Sequence, residues 1–186
     1  MKHQNSRGTL FVIIGLPGAG KTTRAKELAD EHAAIRLTPD EWMIPLFNHN
    51  DADGKRDVLE GRFIWLAMTA LERGINVVLD FGLWGRDERS ALKYLASKVD
   101  ADCQVIYLPI DHEEQLRRVK ERFDTAPHTT FVITEAELVR WRNQFHEPDE
   151  QEIQSPEPGP LPDGFASWDA WTVNRWPTAL GPTPER

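Results

Sequence analysis

Apolar positions along this chain fall into two rhythms, short unbroken runs and helical spacings. Leu10 to Ile14 is an unbroken run with three β-branched residues, closed by Gly15, and predicts a parallel strand covered on both faces. Thr22 to His32 then reads as a helix and Ala34 to Leu37 as a short strand, which stops where Pro39 breaks regular structure. Between Asp51 and Arg73, residues Val58, Leu59, Phe63, Leu66, Ala67, Ala70 and Leu71 recur at spacings of one, three and four. That is the stripe of an amphipathic helix, with Gly74 as its C-terminal stop. Ile75 to Phe81 predicts the next buried strand, Gly82 to Arg89 a loop entering a helix that runs to about Lys98, and Asp102 to Leu108 a further strand. Asp111 to Phe123 reads as a strongly charged helix. Thr134 to Phe145 reads as another, with Thr134 as its N-cap and Glu137 completing a capping box.

Strands alternating with helices predict an α/β fold, a parallel sheet with helices on both faces. That pattern ends near residue 146. Eight of the thirteen prolines lie from Glu147 onward, so the chain divides into a body, 1–146, and an acidic, proline-rich tail, 147–186. Gln151 to Gly164 reads as an extended linker. Phe165 to Trp176 does not, because three tryptophans and a phenylalanine are too apolar to stay solvated, and this segment is expected to dock on the body or on a partner.

Charge narrows the range of partners. Twenty-two basic against thirty acidic residues give −8, and eight acids against two bases from Glu147 onward place −6 of that in the tail. A near-neutral body argues against a surface that tracks a long nucleic acid, although a local basic groove remains possible. No apolar run is long enough to span a bilayer. Met1 to Thr9 is polar and has no apolar signal core, so a cytoplasmic protein is expected. Cys103, the single cysteine, reads as a small residue of a strand and is assigned no chemistry. Oligomeric state is not legible.

Chemistry concentrates after the first strand. Gly15, Leu16, Pro17, Gly18, Ala19, Gly20, Lys21 and Thr22 fill the pattern G-x-x-x-x-G-K-[ST] between a strand and a helix, which is a P-loop. Glycines let bare backbone N–H groups approach phosphate oxygens. Lys21 is placed to bridge the β- and γ-phosphates, Thr22 to hold Mg²⁺ through its hydroxyl, and the helix start to add its positive end. Thr23 closes the nucleotide-binding stretch without a required role of its own.

Asp40 lies past the second strand, at the sheet edge where such folds bind ligands, and suits the base that takes a proton from an attacking hydroxyl; the alternative is an N-cap for a following turn. Asp80 ends the strand INVVLD as a Walker-B carboxylate that would bind magnesium, or else only terminates a strand, and the two aspartates could exchange duties. Arg118 and Arg122, four apart on one helix face with Arg117 beside them, could supply a cis arginine finger; Arg86 could hold substrate or phosphate, though an arginine alone is more often a solvated surface charge paired with Asp or Glu. Trp42 and Trp84 follow the two aspartates closely and suit a ring-bearing acceptor or plain core packing.

With these residues in place, the chain resembles the P-loop kinases, in particular the group of chloramphenicol phosphotransferase, zeta toxins, the kinase domains of polynucleotide kinases and predicted bacterial kinases. The resemblance covers about Gly8 to Phe145 and rests on GLPGAGKTT, on TPDEW with Asp40 in the general-base position, on VVLDFGLWGRDER, and on LRRVKER as a lid with Arg118 and Arg122 in its arginine positions. It implies a P-loop NTPase three-layer sandwich with about five parallel strands in the order 2-3-1-4-5, and ATP with Mg²⁺ at their carboxyl ends. The segment near Trp168 to Val173 would supply the fifth strand or cover an edge. Three functions follow as expectations: an ATP-dependent kinase of a small-molecule hydroxyl, a polynucleotide 5′-hydroxyl kinase, and a nucleotide-dependent switch or binding module without an acceptor.

Overall fold

The computed structural model describes residues 7–49, 52–125 and 133–181. Met1 to Ser6, which carry most of the polar start read as leaderless, and Asp51, the expected first residue of the long helix, lie outside them.

Four parallel strands form the sheet among the described residues: β1 (Thr9–Ile14), β2 (Ile35–Leu37), β3 (Val77–Leu79) and β4 (Asp102–Tyr107), in the order β2-β3-β1-β4. β1 is central, with Val12 opposite Leu79 on one side and Val105 on the other. Its side chains alternate between two apolar layers. Leu10, Val12 and Ile14 join one core cluster, while Phe11 and Ile13 join a second with Ala25 and Leu28 of α1 (Lys21–Glu31). Burial on both faces is why the run reads as continuous apolar sequence.

The first layer is closed by α3 (Lys55–Leu71) and α4 (Arg86–Lys98). Gly74, at φ 76°, ends the turn after α3 with its N–H on Leu71 O, and Glu88 accepts from the Gly85 N–H at the start of α4 at 2.9 Å. α5 (His112–Thr125) and α6 (Glu135–Gln144) follow β4. α6 carries the expected capping box, Glu137 N donating to Thr134 Oγ1 and Thr134 N to Glu137 Oε2.

Three expectations need correction. TPDEW does not lead into a bare turn: Pro39 is the N-cap of α2 (Asp40–Phe47), a helix start that suits proline because its missing N–H would have no partner there. The sheet has no fifth strand among the described residues. Trp168–Arg175 is instead a helix, α8, because Trp168, Trp171 and Thr172 recur at helical spacing and Ser167 Oγ accepts from the Ala170 N–H. Finally, Gln151 to Gly164 is not a uniform linker. It begins within α7 (Glu150–Gln154), whose Glu152 is buried against α4.

The tail packs on the body. Trp168, Trp171, Trp176 and Ala179 belong to the same core cluster as Phe63, Leu71 and Leu92. Gly61 of α3 permits this, since a Cβ there would meet Thr178 Oγ1 at 2.6 Å and the Ala179 backbone N at 3.0 Å. Arg89 and Lys93 of α4 hold the proline-rich stretch. Arg89 is fully buried and pairs with both carboxylate oxygens of Glu152, while Lys93 Nζ donates to the carbonyls of Glu152 and Ser155.

Candidate functional site

The loop between β1 and α1 turns sharply at Gly15, where a Cβ would stand 2.7 Å from Leu108 O, and Gly20 enters α1 at φ 91°, a conformation glycine adopts without strain. α5 braces this loop from outside. Gln115, fully buried, donates to Pro17 O at 3.1 Å, and Arg118 Nη1 donates to Gly18 O at 3.2 Å. Gln115 is itself fixed by Arg142 of α6, whose Nη2 donates to Gln115 Oε1 at 2.7 Å and to Ile110 O at 3.1 Å.

A cleft of about 520 Å³ opens over the loop, walled by Pro17, Gly18 and Gly20 to Thr23, by Asp40 and Arg56, by Asp80 to Gly82 with Trp84, and by Arg118 and Arg122. Most of the residues the sequence nominates therefore share one cavity. Lys21 folds back on the loop, its Nζ donating to Gly15 O at 2.9 Å and Leu16 O at 3.1 Å. Burial lowers its pKa to about 8 against the opposing pull of the Asp80 and Asp40 charges.

Asp80 leaves β3 buried, with its N–H on Leu37 O and its Oδ2 2.8 Å from Arg36 Nη1. Burial raises its pKa while Arg36 and then Lys21 oppose the rise. Asp40 opens α2 without a side-chain cap bond, so the N-cap alternative is not realised. Its Oδ1 instead accepts from Arg56 Nη1 at 2.9 Å. Thr22 and Asp80 offer a hydroxyl and a carboxylate, hard oxygen donors of the kind magnesium takes. Four cations, Lys21, Arg56, Arg118 and Arg122, face two carboxylates in the cleft, a local positive balance on an acidic chain that suits a polyphosphate.

Gly15, Leu16 and Ala19 belong to the loop without walling the cleft, and two nominated side chains from other elements lie elsewhere. Trp42 is 48% exposed on α2, its ring edge-on to Phe63 at 5.4 Å, because helical spacing turns it away from Asp40 two positions earlier. Arg86 points to the tail, 3.4 Å from Asp149 and 3.6 Å from Glu152. Arg117 stays on the outer face of α5 with Glu114 and Glu121. Cys103 packs against the core, with its thiol pushed up to about 12 by burial.

Arg36, Arg56, Phe81, Gln115 and Arg142 were not singled out from sequence. Gln115 had a signal, since it shares the helix face of Arg118 and Arg122 at spacings of three and seven, and Phe81 had one as the residue after Asp80; the three arginines become neighbours of the site only through tertiary packing.

Comparison with known proteins agrees with this fold. Residues 10–148 match the family AAA_33, described as an AAA domain. No curated protein matches the sequence. Among solved structures, the Pnkp1/Rnl/Hen1 RNA repair complex is similar at TM-score 0.65 and 16% identity over 77% of this chain, which spans 45% of that chain's length. Chaetomium thermophilum Kti12 in complex with ADP-AlF3 is similar at TM-score 0.60 and 17% identity, over 93% of this chain and all of that one. A gluconokinase from Sinorhizobium meliloti 1021 is similar at TM-score 0.51 and 13% identity, over 79% of each chain. At these identities the likeness is one of fold. The family match over most of its length makes the chain a member of the AAA_33 family of AAA domains, in keeping with a P-loop at the carboxyl edge of a parallel sheet.

Proposed function

We propose that this protein is an ATP-dependent phosphotransferase that moves the γ-phosphate to a hydroxyl of a small-molecule acceptor. The observation that carries this reading is a carboxylate, Asp40, in the same cleft as the P-loop lysine, with one of its oxygens held by Arg56. The acceptor oxygen forms a bond to the γ-phosphorus while the bond from that phosphorus to the β–γ bridging oxygen breaks. ADP leaves with the electron pair, and the hydroxyl proton passes to Asp40. Lys21 turns from the loop carbonyls to the β- and γ-phosphates, and Arg118 and Arg122 stabilise charge spreading over the transferred group. Thr22 and Asp80 would hold magnesium, which when bound offsets charge on the β- and γ-oxygens.

The net charge of −8 supports a small acceptor over a polymer of phosphates. We assign the kinase body to residues 1–146, with 147–186 as a tail packed on it, and place the reaction in the cytoplasm, in keeping with a single cysteine. The test is to incubate the full chain with γ-labelled ATP, magnesium and a panel of hydroxyl compounds. Label should move to a compound of the panel. Lys21→Ala should lower that rate on the order of a hundredfold without changing circular dichroism. ATP consumption indifferent to every compound, or label carried to the ends of a single-stranded oligonucleotide instead, would overturn the reading.

A further inference from the structure

Arg56 joins two carboxylates that have very different surroundings. Its Nη1 donates to Asp40 Oδ1 at 2.9 Å in the cleft, and its Nε donates to Glu60 Oε1 at 3.0 Å one helical turn below. Glu60 is only 5% exposed, so its charge needs partners on both oxygens. The second oxygen finds them in the tail: Trp176 Nε1 donates to Glu60 Oε2 at 3.1 Å, and Arg175 Nη2 lies 3.7 Å from the same atom. Arg175 is anchored in turn by Asp57 at 2.6 Å and Glu88 at 2.7 Å, and Trp176 is fully buried. An unbroken series of ion pairs and hydrogen bonds thus runs from the C-terminal helix to the carboxylate in the cleft.

We propose that Glu60, Arg175 and Trp176 are positioning residues for the reaction: they hold Arg56, and through it Asp40, so that Asp40 Oδ2 stays directed at the acceptor hydroxyl. This rests on the assignment of Asp40 as the base. A guanidinium pinned at Nε by a buried carboxylate has little freedom at Nη1, so Asp40, otherwise an exposed side chain at a helix start, acquires a fixed geometry it could not supply itself. Glu60 also shares the charge of Arg56, which therefore does not fall on Asp40 alone. Burial raises the Glu60 pKa, opposed first by Arg56 and then by Arg175, as expected for a carboxylate whose ionised form depends on these partners. On this account the tail does more than cover apolar surface. It completes the active site from the opposite end of the sequence.

The experiment measures phosphate release from magnesium–ATP by the full-length protein, with water as the acceptor, beside the affinity for a fluorescent ATP analogue. Trp176→Phe removes the donor and keeps most of the ring; Glu60→Gln keeps the shape and removes the charge. Misplacing a reacting group by about 1 Å costs up to roughly a hundredfold, so each variant should lose about tenfold or more in turnover with analogue affinity unchanged. Asp40→Asn sets the floor, and adding Trp176→Phe to it should lower turnover by less than about twofold, because the base being positioned is already gone. A merely structural role would weaken nucleotide affinity as well, or produce the same loss in both backgrounds, and either result would overturn the proposal. Normal turnover in Trp176→Phe and Glu60→Gln beside a defective Asp40→Asn would sink the positioning role and leave the base intact. Normal turnover in Asp40→Asn would remove the base and this inference with it.

Discussion

Glu152→Ala isolates the buried pair that fastens the tail. Arg89 is 0% exposed and keeps three backbone carbonyls, those of Leu83, Trp84 and His146, after Glu152 is removed, but it loses its only carboxylate among the described residues. Carbonyl dipoles satisfy its N–H groups without neutralising the charge, and breaking such a pair from one side costs about 3–5 kcal/mol. The other contacts of this region barely change. Arg86, half exposed at 3.6 Å from Glu152, contributes little, and Lys93 binds the main-chain oxygen that alanine retains. Against a total of about 5–15 kcal/mol the loss is large and should lower Tm by roughly 6–20 °C for a chain of this size. Urea titration followed by circular dichroism measures it. Arg89→Met with Glu152→Leu should recover most of the loss, because neither charge is then buried alone. A loss below about 1 kcal/mol for Glu152→Ala, the value of a surface pair, would refute this account of the tail's attachment.

Nucleotide affinity should depend on pH through Lys21. With its pKa lowered to about 8 in the free protein, Lys21 is charged below that pH and loses its proton above it. Triphosphate binding above pH 8 must then take up a proton, so ATP affinity measured by calorimetry should fall by up to about tenfold per pH unit above about 8, and a flat profile from about pH 7 to about pH 9.5 would contradict this. Gly61→Ala should lower Tm, although alanine is the better helix former by about 1 kcal/mol, because the new Cβ meets Thr178 and the Ala179 backbone; a higher Tm would mean the tail does not lie against α3. Asp80→Asn should shift the magnesium concentration needed for turnover upward, and an unchanged requirement would remove Asp80 from the metal site.

What could be read from the sequence is what local pattern encodes. The run Leu10 to Ile14 and the loop to Thr22 dictate both strand and phosphate cradle within thirteen residues, and Asp40 and Asp80 follow strands whose carboxyl ends must meet that loop in a parallel sheet. The capping box at Thr134 is legible for the same reason. Arg56 was not legible as a site residue, since nothing in KRDVLEG says that its guanidinium spans Asp40 and Glu60, or that Glu60 meets a tryptophan at position 176. Composition misled in the tail. Prolines there suggested an extended linker, while Glu152 and the tryptophans at 168, 171 and 176 were already committed to partners on α3 and α4. Trp42 shows the limit of counting residues from a motif, because α2 turns consecutive side chains through a helical angle and sends this one outward.

Asp40→Asn compared with the wild type in γ-phosphate transfer to the acceptor tests the central claim most directly, with ATP affinity measured on the same samples. The amide keeps the shape and can stay beside Arg56, but it cannot take the hydroxyl proton. Transfer should fall roughly a hundred- to ten-thousandfold while ATP affinity changes by less than about twofold. Transfer at the wild-type rate would show that Asp40 is not the base and that the hydroxyl proton leaves by another route.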